Sequence, residues 1–213
     1  MTRKTSKLFI PAGILAAGLL SAGSAHAGLI ATDAGAGSTY TTNNNNDLGL
    51  PGGKSQTVMV GYQLEADTFG ALSYEYLGKE AGYTNTVYFD ISINNCTFST
   101  ATSVKGQTCS SWTPGGPLAF TFTTSGGGNS QSISNGDTFG VNSAMTFGLK
   151  RIDAFSWFIL LDDSGGNPND KDFDDLGLKV VFTPKAVPEP GTLALLGLGM
   201  AGLGAMRRRR KAA

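Results

Sequence analysis

Across residues 28–186 apolar side chains recur at every second position, and no 3.6-residue stripe interrupts them. A period of two puts those side chains on one side of an extended strand. Val58, Val60, Tyr62 and Leu64 share such a face, as do Val87, Phe89, Ile91 and Ile93, and likewise Leu118, Phe120 and Phe122. Leu176, Leu178, Val180 and Phe182 predict a closing strand. Residues 154–161 are apolar on both faces (Phe155, Trp157, Phe158, Ile159, Leu160, Leu161), which predicts a strand at the centre of the core. Residues 74–77, 137–141 and 144–149 are further strand candidates.

The connections at 43–47, 114–117 and 125–136 are rich in Gly, Asn, Ser and Pro, the residues that supply turns and positive φ. Short strands separated by turn signals predict an all-β fold, an antiparallel β-sandwich of jelly-roll or immunoglobulin-like type. It is expected to occupy residues 56–186, after a flexible leader or edge strand at 28–55 that is poor in apolar residues. A body of this length has room for one real core.

Charge divides the chain differently. Lys+Arg and Asp+Glu both number 16, but Arg3, Lys4 and Lys7 lie at one end and residues 207–211, all Arg or Lys, at the other. The acidic residues all fall between, so residues 28–190 hold 8 positive charges against 16 negative, a net −8. A body this acidic is unsuited to nucleic acid, which needs clustered Lys and Arg at the phosphates.

The N-terminal charges precede an apolar run at 8–20, too short to span a bilayer, and then Ala25-His26-Ala27. Small residues at Ala25 and Ala27 fit the pocket of a signal peptidase, so residues 1–27 read as a signal peptide and the mature chain is expected to begin at Gly28. Export makes Cys96 and Cys109 an expected disulfide. The single histidine, His26, would leave with the signal. The mature body then has no Ser-His-Asp triad, Cys-His pair or histidine metal site, and the expectation is a protein that is not an enzyme. Glu65, Glu75, Glu80 and Asp90 are the carboxylates from which a glycosidase pair would have to be drawn. Trp112, near Pro114 and Pro117, is expected to pack rather than to stack on a sugar.

Asp162, Asp163, Asp170, Asp172, Asp174 and Asp175 crowd into 14 positions. Oxygen ligands at this density are candidates for calcium, which takes six to eight of them. The alternative is a set of turns and caps between two strands. An EF-hand is excluded, because Asp175 stands where the loop glycine belongs and Val181 where the last glutamate belongs. Residues 170–176 resemble the D-x-D-(F/Y)-(N/D)-D-L motif before the last strand of some bacterial surface β-domains, which implies a loop held by its carboxylates or by a cation.

At the other end, Val187-Pro188-Glu189-Pro190-Gly191 is followed by 15 uncharged residues (192–206) and then Arg207, Arg208, Arg209, Arg210 and Lys211. The prolines disfavour helix in the residues before them, so this neck should be extended. Residues 192–206 would make a helix of about 22 Å against a hydrocarbon core of roughly 30 Å, a marginal transmembrane helix with its arginines on the cytoplasmic side. Gly197, Ala201 and Ala205 would let a second helix approach closely. Pro-Glu-Pro, a short apolar helix and an arginine cluster at 187–211 resemble the PEP-CTERM sorting signal of Gram-negative bacteria. That resemblance implies recognition by an exosortase, a membrane-embedded cysteine protease or transpeptidase. It also implies transient membrane anchoring, then a destination in the cell envelope or an extracellular polysaccharide and biofilm matrix. The expected role is structural or interactive, with a carbohydrate-binding, lectin-like module as the alternative.

Overall fold

The computed structural model describes residues 27–42, 44–90, 96–126, 129–140, 143–163, 171–185 and 192–209. In chain order its elements are β1 (Leu29–Thr41), β2 (Thr57–Ala66), β3 (Gly70–Gly78), β4 (Thr84–Phe89), β5 (Cys96–Ser99), β6 (Thr108–Thr113), β7 (Gly116–Pro117), β8 (Phe120–Gly126), β9 (Asn129–Ser134), β10 (Thr146–Arg151), β11 (Ser156–Asp162), β12 (Leu176–Pro184) and α1 (Thr192–Arg209). The larger sheet runs β1-β2-β10-β11-β12-β3-β6, with β7 also paired to β2, and the smaller runs β5-β4-β8-β9. Every pairing is antiparallel, as the alternating pattern predicts.

The inner faces of the two sheets meet in one apolar cluster. β11 lies in the middle of the larger sheet and is buried along its whole length, which is why its sequence is apolar on both faces. Leu176, Leu178, Val180 and Phe182 of β12 and Leu118, Phe120 and Phe122 around β8 are buried, as their spacing predicts. Aromatic rings fill the gap between the sheets. Phe147 of β10 has its ring centroid 5.4 Å from Phe120 and 5.9 Å from Phe122, and Tyr74 of β3 meets Phe89 of β4 at 3.8 Å. Asn135, just after β9, accepts the Leu64 N–H at 2.8 Å and donates to the carbonyls of Leu64 and Leu118, so one side chain ties the smaller sheet to β2.

The expected Cys96–Cys109 disulfide is present, with Cα atoms 6.0 Å apart. It joins β5 and β6, the edge strands of the two sheets, and so closes the sandwich on that side.

Some expectations need correction. Residues 137–140 are not a strand, and residue 141 lies outside the described residues, as do Ile91 and Ile93. Phe155 sits in the turn before β11 and is 40% exposed. Residues 28–55 do supply an edge strand, β1, yet they are no loose leader: Leu29, Leu48 and Leu50 belong to the core. β1 is broken by a register shift between Asp33 and Ser38. Gly61 faces that break with φ 76°, where a Cβ would stand 2.7 Å from the Ala36 carbonyl oxygen. α1 continues past residue 206 through Arg209, so its last turn carries arginines. Among the described residues no helix is long and apolar enough to cross a membrane. The expected transmembrane segment is therefore helical, but short of spanning length.

Candidate functional site

The strand registers give the sandwich two poles. At one, Thr146 pairs with Asp162, Leu161 with Leu176, and Gly177 with Gly78. At the other, Arg151 pairs with Trp157, Ser156 with Val181, and Gly70 with both Pro184 and Thr113. The nine residues of β12 run between them, a separation of about 30 Å at roughly 3.3 Å per residue.

The first pole gathers the aspartates. Asp162 ends β11 and Asp163 follows it, while Asp172, Asp174 and Asp175 lead into β12; Asp170 lies outside the described residues. Their carboxylates receive donors from the protein. Asp163 N–H donates to Asp175 Oδ2 at 2.6 Å, Asn85 Nδ2 to Asp163 Oδ2 at 2.7 Å, and Asp47 N–H to Asp174 Oδ2 at 2.7 Å. Asn46 Nδ2 donates to the carbonyls of Asp172 and Phe173 at 3.0 and 2.9 Å. Phe173 adopts φ 58°, uncommon for so bulky a residue, and drives its fully buried ring to 5.8 Å from Tyr40. The aspartate motif thus clasps residues 46–47 to the last strand, with Phe173 as its anchor. Among the described residues no group of three or more His, Cys, Asp or Glu side chains is arranged to hold a metal ion.

Crowding the acids has an electrostatic consequence. Burial pushes the Asp175 carboxyl up to about 8; the Asp163 N–H pulls the other way, and the charges of Asp163, Asp162 and Asp174 add to the rise. The folded chain therefore holds a proton on Asp175 at pH values where the unfolded chain has lost it. This contribution is fully present below the ordinary carboxyl value of 3.8 and is lost as pH climbs through about 8. Stability should fall over that interval by up to about 1.4 kcal/mol per pH unit. In Asp175→Asn, which keeps an oxygen for the Asp163 N–H, the slope should flatten. Urea midpoints at pH 5, 6.5 and 8 measure it, and an equal slope in both proteins would contradict the assignment. At the exposed edge of this pole Glu80 is also raised, first by its hydrogen bond with Asp47 and then by the charge of Asp174. Asp47 is lowered, first by its hydrogen bond from Lys54, its ion-pair partner.

The four carboxylates considered for glycosidase chemistry are dispersed. Glu65 and Glu75 sit on β2 and β3, with β10, β11 and β12 between, and Glu80 is at the aspartate pole. Asp90 rims a small cleft toward the other.

The second pole is where both chain termini leave the body. Gly28, buried, donates its N–H to Asp67 Oδ1 at 2.7 Å and accepts from Asp67 N–H at 3.1 Å. Leu29 N–H bonds the Ala154 carbonyl at 2.9 Å, and its own carbonyl accepts the Trp157 indole N–H at 3.3 Å. At the other terminus, Lys185 N–H bonds the Phe69 carbonyl at 3.1 Å. Trp112 is 54% exposed here, against the expectation that it would pack inside. It stacks on Phe69 at 5.7 Å, and Lys185 Nζ lies 5.1 Å from the indole centroid. Beside it is a cleft of about 80 Å³ lined by Asp90, Ser111, Thr113 and Pro114 among others. Nothing in the spacing of residues 108–113 announces an exposed tryptophan, because β6 (Thr-Cys-Ser-Ser-Trp-Thr) has too few apolar residues to reveal its buried face.

Beyond Lys185 the neck Val187-Pro188-Glu189-Pro190 lies outside the described residues, as do Arg210 and the N-terminal Ala25. α1 then carries exposed Leu196, Leu198, Met200 and Leu203 before Arg207, Arg208 and Arg209. Residues 186–210 match the family model of the PEP-CTERM protein-sorting motif. The chain carries a PEP-CTERM sorting motif. Such a motif marks a protein exported and processed at the membrane through exosortase on its way to the cell surface. Neither curated proteins nor solved structures show a significant match to the chain.

Proposed function

We propose that this PEP-CTERM protein is a non-catalytic structural or interaction component of the cell envelope or extracellular matrix of a Gram-negative bacterium. The observation that carries the proposal is the sorting motif, attached to an exported, disulfide-closed β-sandwich. Signal peptidase cuts between Ala27 and Gly28. The new α-ammonium then lies against the Asp67 carboxylate, which already holds the Gly28 nitrogen at 2.7 Å. The C-terminal helix tethers the body to the inner membrane until exosortase cuts in the proline neck. A tether of about 22 Å of uncharged helix is weak enough to be temporary.

A lectin-like role is the second reading, favoured by the exposed Trp112 beside the Asp90 and Ser111 cleft. Co-sedimentation of the secreted protein with the producing cell's own polysaccharide tests between them. Retention that falls at least tenfold in Trp112→Ala would establish the lectin. Retention that is absent, or indifferent to Trp112, leaves the structural role standing.

A further inference from the structure

Exposed apolar side chains are not spread evenly over the body. Among the described residues before α1, the large exposed apolar residues are Ile30, Phe69, Tyr88, Val104, Trp112, Ile152 and Phe155. Topology brings five of these seven to one pole. Phe69 precedes β3, Trp112 is next to the end of β6, Ile152 and Phe155 form the turn between β10 and β11, and Ile30 follows Leu29, whose N–H bonds the Ala154 carbonyl of that turn. The Phe155 carbonyl accepts the Phe182 N–H at 2.8 Å and the Phe69 carbonyl accepts the Lys185 N–H at 3.1 Å, so both turns abut the last residues of β12. This is the pole from which the chain departs toward α1.

We infer that this pole is a lipid-facing surface: while the tether is intact, Phe69, Trp112, Ile152 and Phe155 sit in the headgroup layer of the membrane that holds α1. Only residues 186–191 separate Lys185 from the first residue of α1, and six residues reach at most about 20 Å even fully extended. The pole is therefore confined near whatever surface α1 enters. Tryptophan and lysine side by side suit that layer, the indole at the boundary and the ammonium among phosphates.

Charge agrees with the orientation. Two of the acids at this pole are turned to backbone donors, Asp67 to Gly28 N–H and Asp153 to Phe155 N–H at 2.7 Å each, while the exposed Asp90 rims the cleft beside Trp112. The crowded aspartates lie at the far pole, about 30 Å away along β12, where anionic lipid does not meet them. A second contact of this kind also supplies what α1 lacks. One short apolar segment holds a chain weakly, and a shallow apolar patch adds to it until the neck is cut. The inference rests on the tether reading of α1.

Trp112 reports the contact itself, because the only other tryptophan, Trp157, is buried. The signal-cleaved chain retaining α1 is reconstituted into phosphatidylethanolamine–phosphatidylglycerol vesicles whose acyl chains are brominated just below the headgroups. Relative to unbrominated vesicles, emission is expected to fall by up to about half, the share of one of two tryptophans at a depth of ~5–10 Å. In Phe69→Ser/Phe155→Ser, two exposed positions, that quenching should drop several-fold while the disulfide still forms. Unchanged emission in a chain that floats with the vesicles would overturn the lipid-facing pole and leave the tether intact. A chain that fails to float would overturn both. Trp112 emission that answers to purified polysaccharide and not to brominated lipid would assign the pole to sugar instead.

Discussion

Phe147→Ala is expected to destabilise the domain by about 3–5 kcal/mol. Phe147 is fully buried on β10, and its ring meets Phe120 and Phe122 of the opposite sheet and Phe139 at 4.7 Å. Removing it withdraws the side chain that fills the space between the sheets. Phe120 and Phe122 hang from the paired strand β8 and cannot collapse into the hole without breaking register. Denaturant unfolding checks this, with a lower midpoint and an unchanged slope as the expected outcome. A loss below about 1 kcal/mol would mean that the sheets are not packed through this residue.

Opening the Cys96–Cys109 bridge is the next largest expected loss, about 3 kcal/mol for a loop of this length in the chain-entropy account. The two cysteines are 13 residues apart and join the edge strands β5 and β6. Residues Tyr76 and Phe98, behind the bridge, keep a ring contact at 6.0 Å that does not depend on it. The reduced protein should therefore fold to the same secondary structure and melt earlier. Cys96→Ser/Cys109→Ser and the reduced wild type should agree, since both lack the cross-link. Equal stability with and without reductant would show that the loop is already constrained by β4, β5 and β6 alone.

Much of the sandwich was legible because burial on one face leaves a period of two. β2, β8 and β12 show it, and β11 shows continuous apolar character because both its faces are covered. β6 and β9 were not legible. Thr-Cys-Ser-Ser-Trp-Thr and Asn-Ser-Gln-Ser-Ile-Ser offer few apolar residues to count, and their pairing is set by neighbours that only the fold supplies. Residues 137–141 read as a strand, yet Phe139 reaches the core from an irregular segment, packing on Phe147. The aspartate run was visible, but its role in clasping residues 46–47 was not, because Asn46 and Asp47 are more than 120 residues away. The same holds for the apolar pole. Phe69, Trp112, Ile152 and Phe155 belong to separate turns, and only the strand order brings those turns beside the chain's exit. The sorting motif, by contrast, is local. Its proline neck, short apolar helix and arginine cluster are contiguous, so residue order alone carries it.

The central claim is that the ends of this chain are removable addresses and the β-sandwich is the delivered product. Intact mass of the secreted protein, from cells with exosortase and from cells lacking it, tests this most directly. With exosortase, the mass should correspond to a chain that begins at Gly28 and has lost Arg207, Arg208, Arg209 and Arg210, together with any group joined to the new C-terminus. Without the protease, the arginine-bearing chain should remain with the membrane. A secreted protein that still carries its arginine cluster in cells possessing exosortase would contradict the account.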